Sequence, residues 1–558
     1  MSLPLIVLAV LAVLVSGYAL YGRLVARWLG LDDTRVTPAH SQSDGVDYVP
    51  TRPFYLFAQH FSAIAAAGPI VGPIMACQSF GWLPCLLWIA LGVVLIGAVH
   101  DATTLAASVR HGARSVAEIC REEVGPRAGI AMLAFIWLAL MFVIVAFADT
   151  TAGTFVTGPE ELAGLTPGFH PGGAVAAAAV MYLLLSVVMG VLQRLVSPPL
   201  WLMTLLFVPA TFGVAWLGTH LSEALLVDRR TWGLLILAYC GVASVVPVWA
   251  LLQPRGYLGG FVLYAALAIG LLGIFCGGYT VQQPAFGGSH AGEAGGSLFP
   301  FLFVTIACGA CSGFHGLVCS GTTSKQIDRE SHARPVGYGA MLAEGLVAVI
   351  ALTTIMILTP AEAKGLQPGA IYGQGIGRFL TLLIGKDNLA FAITFGAMAF
   401  STFVFDTLDV STRLGRLILQ ELFGWKGRAG AAAATVITLA VPAWLLLFGP
   451  GGGWRLYWTL FGASNQLLAA LSLLVVTVWL ARARRPVAFT LLPLVFVLVI
   501  TLWSLVSLAL DGLRKAQGLD ASAINALVAA TLVLLALYLV ARALARLMAE
   551  RRAPEAAS

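Results

Sequence analysis

Charge is what this chain has least of: Asp, Glu, Lys and Arg make up 10% of its 558 residues, against 59% hydrophobic residues. With a mean hydropathy of +0.90, that excludes a water-soluble fold of this length, whose surface would need far more polar groups. No Gly-rich loop ends in Gly-Lys-Ser or Gly-Lys-Thr, which speaks against an ATP-driven pump. No basic stripe marks a soluble face, so the net charge of +6 makes no case for nucleic acid. The first apolar run lacks a basic n-region and reads as a retained helix, not a cleaved signal. Cysteine is sparse as well. Cys77, Cys85, Cys120, Cys240, Cys276, Cys308, Cys311 and Cys319 lie within or beside apolar runs, with no sign of a disulfide framework.

What is present is a succession of apolar runs. About 20 apolar residues cross the hydrocarbon core of a bilayer, and on that ruler fifteen spans are expected. They are 3–22, 54–79, 83–110, 128–156, 173–194, 198–219, 231–252, 256–280, 298–323, 336–360, 388–416, 430–450, 455–481, 487–510 and 522–548. Lys and Arg collect on the cytoplasmic side of membrane proteins. With the N-terminus outside, 24 of the 32 fall in inside segments and 8 in outside ones, which leaves the C-terminus cytoplasmic.

Two spans are weakened at their centres. FAQHFSAIAAAGPIVGPIMA (57–76) carries Gly68-Pro69 and Gly72-Pro73 at its middle, and proline removes a backbone donor and clashes with the preceding turn. FPFLFVTIACGACSGFHGLVCSGTTSKQ (299–326) carries Gly309, Gly313 and Gly316. The stretch 61–65 aligns with 303–307, and the breaks follow at the same distance. Each broken span leads into a long helix, an amphipathic connection, and a span with acid toward its C-terminal part: Asp149 in the first copy, Asp406 and Asp409 in the second. Ser115 and Glu118 have capping-box spacing, which predicts a short helix in the first connection.

Seven crossings separate the two copies, so the second enters from the opposite face. The expected fold is an all-α polytopic membrane protein built on a 5+5 inverted repeat. Residues 1–53 supply an extra helix and loop, 54–219 the first repeat, 220–297 two intervening spans, 298–481 the inverted repeat, and 482–558 two peripheral spans and a tail. In transporters, broken helices of this kind meet near the bilayer midplane.

In chain order, HFSAIAAAGPIVGPI, AVHD, SGFHGLVCSGTTSKQ, RPVGYGAMLAEG, STRLGRLILQEL and LFGASNQLLAAL resemble the carbon starvation protein A (CstA) family, over nearly the whole chain. The resemblance implies a leucine-transporter type of fold within the amino acid-polyamine-organocation superfamily. It further implies residence in the bacterial inner membrane and import of pyruvate, other small carboxylates or short peptides, in at least some members with protons.

Half-helix N-termini present unpaired N–H groups to a carboxylate. The backbones around Gly68, Gly72, Gly309 and Gly313 are therefore candidates for substrate, with close helix packing as the alternative. An ionised group at the bilayer centre costs ~2.5–3.5 kcal/mol, which singles out His60, His100, Asp101, Asp149, His315, Glu344, Asp406 and Asp409. His315, just past the second break, is a candidate substrate or proton ligand. His60, Asp101, Asp149, Glu344, Asp406 and Asp409 are candidate carriers of a coupling proton, and sodium held by freed carbonyls is the alternative ion. For His100 and Asp101 a static bond tying two helices is the plainer reading. Asn465 and Gln466 would bind substrate or an ion, or join helices.

Cys308, Cys311, His315 and Cys319, spaced by 3, 4 and 4, fall on one helical stripe. At helical rise they spread over ~16 Å, too far for one tetrahedral ion. No metal or cofactor is expected. A membrane-embedded metal or redox enzyme using that stripe stands as the alternative to transport.

Overall fold

The computed structural model describes residues 2–45, 47–158, 168–291, 296–449, 454–518 and 520–552. In chain order the helices of eight or more residues are α1 Leu3–Leu29, α2 Pro53–Ile64, α3 Gly68–Phe80, α4 Trp82–Arg110, α5 Val116–Glu123, α6 Pro126–Phe155, α7 Pro171–Leu195, α8 Leu200–His220, α9 Arg229–Val245 and α10 Leu252–Cys276. They continue as α11 Leu298–Thr305, α12 Gly313–Gly321, α13 Glu330–Met356, α14 Pro368–Ile384, α15 Leu389–Phe423, α16 Gly427–Phe448, α17 Trp454–Arg482, α18 Ala488–Lys515 and α19 Ala521–Arg552. The described strands form one two-residue antiparallel pair, His290–Ala291 with Gly296–Ser297.

Twelve of these helices are long and apolar enough to cross a membrane, and each overlaps one of the expected spans. The other three expected spans are the bent pair α2–α3, the 17-residue α9, and the short pair α11 and α12. The expected amphipathic connections are helical too. In the first, α5 opens on a capping box in which Ser115 accepts from the Glu118 N–H and Glu118 accepts from the Ser115 N–H. In the second lies α14, with four glycines along one helix that packs against α15 and α13.

The two breaks are present, at positions that differ from the expected ones. α2 and α3 meet at 47° across residues 65–67, with Pro69 in the first turn of α3, where a helix has no acceptor for an N–H in any case. Gly72-Pro73 is not a break: it lies inside α3, whose residues 68–77 are all buried in protein. The second break unwinds 306–312, between α11 and α12. Gly309 falls within it, Gly313 opens α12, and Gly316 is inside α12.

The broken segments run antiparallel and touch. Near one end the Thr51 N–H donates to the Gln326 carbonyl (3.1 Å); at the other, the Gly287 N–H donates to Phe80 (2.8 Å). Between them, a Cβ on Gly68 would strike Cys308, and one on Gly72 would lie 2.5 Å from the Thr305 carbonyl oxygen. The irregular backbone is thus enclosed by protein, the condition under which a membrane interior tolerates it. A π-turn at Val93–Gly97 in α4 packs over the second break, and Tyr338, in a π-turn of α13, donates to the Val94 carbonyl (2.9 Å).

Candidate functional site

Beside the crossed breaks lies a cluster of ionisable groups drawn from four helices. Asp101 of α4 is its centre: Oδ1 is 2.7 Å from His100 Nδ1 and Oδ2 is 2.9 Å from His315 Nδ1. His315 comes from the first turn after the break, and its other nitrogen, Nε2, lies 3.1 Å from Glu344 Oε2 on α13. His60, in the half-helix before the first break, bonds Thr323 Oγ1 through Nδ1 (2.8 Å) and has Cys319 Sγ 3.9 Å from Nε2. Cys319 Sγ in turn donates to the Asp101 carbonyl (3.6 Å). Each of these side chains is buried; Asp101 and Glu344 are 0% exposed.

The arrangement determines what the cluster can do. With a protonated imidazole between the two carboxylates, Asp101, His315 and Glu344 would carry a net charge of −1. One more proton, on Glu344, makes the triad neutral. Glu344 has neither oxygen in good hydrogen-bond geometry, and His100 Nε2 has no partner among the described residues. Buried charge without a full set of partners is costly, and this cluster holds such atoms on both Glu344 and His100. Sequence reading named each of these residues individually; the packing brings five of them together.

The other intramembrane acids stand apart, each held by an arginine. Asp149 Oδ1 accepts from Arg229 Nε (2.9 Å). Asp406 and Asp409 both meet Arg255, at 2.5 and 2.6 Å. Arg255 corrects the loop-charge reading, in which it counted as an inside loop residue: it lies in α10 and is 1% exposed. Its signal was a lone arginine in the three-residue gap between two apolar runs. Thr323, one of the hydroxyls at the inward end of the ninth expected span, is the one that His60 takes as its partner.

Asn465 and Gln466 on α17 hold the second break. Asn465 Oδ1 accepts from the Phe314 N–H (2.9 Å), while its Nδ2 donates to Cys308 Sγ and Ser312 Oγ. It therefore caps α12 from another helix, occupying a donor that would otherwise face a ligand. Gln466 Nε2 donates to the Phe303 carbonyl (3.0 Å), an orphan acceptor at the end of α11. Gly313 packs against α17, where a Cβ would lie 2.5 Å from the Ala469 nitrogen. In this conformation Gly68, Gly72 and Gly313 are packing contacts. Nor is the cysteine–histidine stripe a single helical face: Cys308 and Cys311 sit in the unwound segment, Cys319 in α12. Cys308 turns to Asn465 and Cys319 to His60.

A cavity of about 610 Å³ opens at the far end of α12, where Ser320 and Gly321 meet Tyr48, Arg110, Arg114 and Lys325. Ser320, on the cavity wall, directly follows Cys319, the residue whose Sγ faces His60. Its rim is braced by ion pairs: Arg110 Nη2 with Glu330 (2.8 Å), His111 Nε2 with Glu123 (2.9 Å), and Arg482 with the other oxygen of Glu123 (2.5 Å). Burial opposes the charge on His111, but hydrogen bonds to Glu123 and to the Ala107 carbonyl outweigh it and raise its pKa. For Glu123 burial is likewise outweighed, by His111 and Arg482, and its pKa is lowered.

Comparison with known proteins agrees with the sequence motifs. The family described as "Carbon starvation protein CstA" matches residues 1–374 and 366–504. The peptide transporter CstA of Campylobacter jejuni is 33% identical over 89% of this chain and 79% of its own length. That of Bacillus subtilis is 32% identical over 89% of each. The pyruvate/proton symporter BtsT of Escherichia coli K12 is 32% identical over 90% of this chain and 81% of its own length. Among solved structures, the Eremococcus coleocola manganese transporter aligns with a TM-score of 0.44 at 13% identity, over 91% of this chain and 99% of that one. With matches spanning nearly its whole length, the chain belongs to the CstA family.

Proposed function

We propose that this protein is a proton-coupled secondary transporter, importing pyruvate, other small carboxylates or short peptides across the bacterial inner membrane. The observation that carries the proposal is the antiparallel contact of two broken helices with His60, Asp101, His315 and Glu344 buried beside it. The family supports the same reading: its members include peptide transporters and a pyruvate/proton symporter. No enzymatic role is invoked.

The proposed architecture has fifteen crossings, the N-terminus outside and the C-terminus cytoplasmic. Segments 54–219 and 298–481 form the inverted repeats of a leucine-transporter type fold in the amino acid-polyamine-organocation superfamily. The antiparallel run of the breaks supports the inversion, and the basic rim of the cavity at Ser320 fits the positive-inside rule. That cavity is then the cytoplasmic vestibule. A proton on Glu344 neutralises the triad, and its loss to the vestibule past His60 would accompany release of the solute. Rocking of the broken pair against α6 and α15 supplies alternating access, with the half-helix backbones at Gly68, Gly72, Gly309 and Gly313 exposed to the solute in another conformation.

Uptake of labelled pyruvate and dipeptides into proteoliposomes, with pH and sodium gradients imposed separately, tests the proposal. Uptake driven by an inward proton gradient is expected. Uptake driven by sodium alone would refute the coupling, and no uptake of either solute class under either gradient would refute the function.

A further inference from the structure

A second buried polar site lies outside the broken helices, where α7, α9, α10 and α15 meet. Its core is one guanidinium between two carboxylates one turn apart on α15: Arg255 Nη2 is 2.5 Å from Asp406 Oδ1, and Nη1 is 2.6 Å from Asp409 Oδ2. Tyr239 of α9 donates its hydroxyl to Asp409 Oδ2 (2.7 Å) and accepts from Arg255 (3.2 Å). Tyr182 of α7 donates to the Arg255 carbonyl (2.7 Å). Arg413, one turn beyond Asp409, gives its guanidinium to the carbonyls of Ala243 and Val246 at the end of α9. The remaining titratable neighbour is the Cys240 thiol, beside Tyr239 and buried. A single cation, Arg255, therefore contacts two carboxylates, and these three groups alone carry one negative charge in excess, with Arg413 the next cation along α15.

Two further observations point to what is missing. Asp409 is 0% exposed, yet its Oδ1 has no hydrogen-bond partner among the described residues. Asp406 has a side chain 23% exposed, so protein encloses the pair fully at Asp409 and only in part at Asp406. An unpaired charge of this kind inside a membrane protein is expensive. A sodium ion would need several oxygen ligands, but Asp409 Oδ2 is already shared between Arg255 and Tyr239, and Asp406 Oδ1 is held by Arg255. A proton needs one lone pair, and Asp409 Oδ1 has one.

We propose that the Asp406–Asp409 pair is a proton-binding site, distinct from the His315 cluster. The proton enters at Asp406 and rests on Asp409 Oδ1. The bound state is neutral: Arg255 pairs with Asp406 alone, and Asp409 is a neutral acid. Release of the proton restores the three-membered ion cluster that ties α9 and α10 to α15. The site is independent of the transported solute and of whether uptake occurs at all.

The test uses the full-length protein in lipid nanodiscs, without solute. A pH indicator measures proton uptake after an acid step, and infrared difference spectra record the carbonyl band of a protonated carboxyl. Asp409→Asn is expected to take up one proton fewer than the wild type and to lose a carboxyl band. Asp406→Asn, which also removes the excess charge, is expected to lose the same band, so the result does not hang on one variant folding. Glu344→Gln should retain it, which separates this site from the central cluster. An unchanged band and unchanged proton count in both Asn variants would overturn the proposal. So would a wild-type site that stays ionised throughout and is instead stabilised against heat by sodium in an Asp409-dependent way.

Discussion

His315 Nδ1 lies 2.9 Å from Asp101 Oδ2, although 214 residues separate the two in the chain. The second broken helix is thereby bolted to the helix that follows the first, and the same imidazole reaches Glu344 with its other nitrogen. His315→Ala leaves two buried carboxylates facing each other without their cation. Removal of one partner from a buried ion cluster costs about 3–5 kcal/mol. Thermal unfolding in detergent should show a large loss, and gradient-driven uptake should vanish.

Glu344→Gln is a gentler change at the same site, since the amide keeps the shape and discards the proton. Solute exchange across proteoliposomes at equal pH is expected to continue, while accumulation driven by a pH gradient is lost. If Glu344→Gln and His60→Ala both accumulate solute at the wild-type level, the coupling site lies elsewhere.

Asn465 serves as a cap borrowed from another helix. Asn465→Ala should destabilise by about 1 kcal/mol, the usual cost of a lost N-cap, plus the cost of stranding Ser312 and Cys308. Asn465→Asp keeps the acceptor for the Phe314 N–H and should recover part of the loss. A melting series of the three proteins checks the order.

Close approach of the two breaks depends on Gly72. A Cβ there would sit 2.5 Å from the Thr305 carbonyl oxygen and 3.2 Å from the Ile306 Cα, both backbone atoms that cannot swing aside. Gly72→Ala should cost about 1–3 kcal/mol through overpacking and reduce uptake. Gly321→Ala, at a site with no heavy atom within 4 Å, should leave stability unchanged. Equal effects of the two substitutions on the thermal midpoint would count against the packing account.

The rim of the cavity at Ser320 should respond to pH on both sides. Glu123 has a lowered pKa, so its stabilisation is complete above the ordinary carboxylate range and fades as pH falls through its folded value. The raised pKa of His111 gives the opposite limb: its contribution is complete below the ordinary histidine value of about 6.5 and fades as pH rises through the folded one. Maximum bracing therefore falls between about pH 5 and 6.5. His111→Ala should flatten the alkaline limb of the pH–stability curve and remove about 1.5–3 kcal/mol of charge-assisted bonding.

Much of this fold is legible in the chain because hydropathy is a local quantity. Twenty consecutive apolar residues declare a span wherever the helix packs, and Pro69 weakens a helix through its own missing N–H. Ser115 and Glu118 write their capping box within four residues. Membership of the family follows from motifs that are local as well. What local pattern could not settle is partnership. Gly72-Pro73 resembles a break as strongly as Gly68-Pro69, and only the packing of α3 inside protein keeps it helical. His60, Asp101, His315 and Glu344 were visible one at a time, but their meeting depends on how helices far apart in the chain cross. Arg255 looked like one more loop cation until the bundle closed around it and set it between Asp406 and Asp409. A bilayer penalises a lone charge according to its depth alone, which the sequence reveals; whether that charge finds a partner depends on distances of a few ångströms, which only the assembled helices decide.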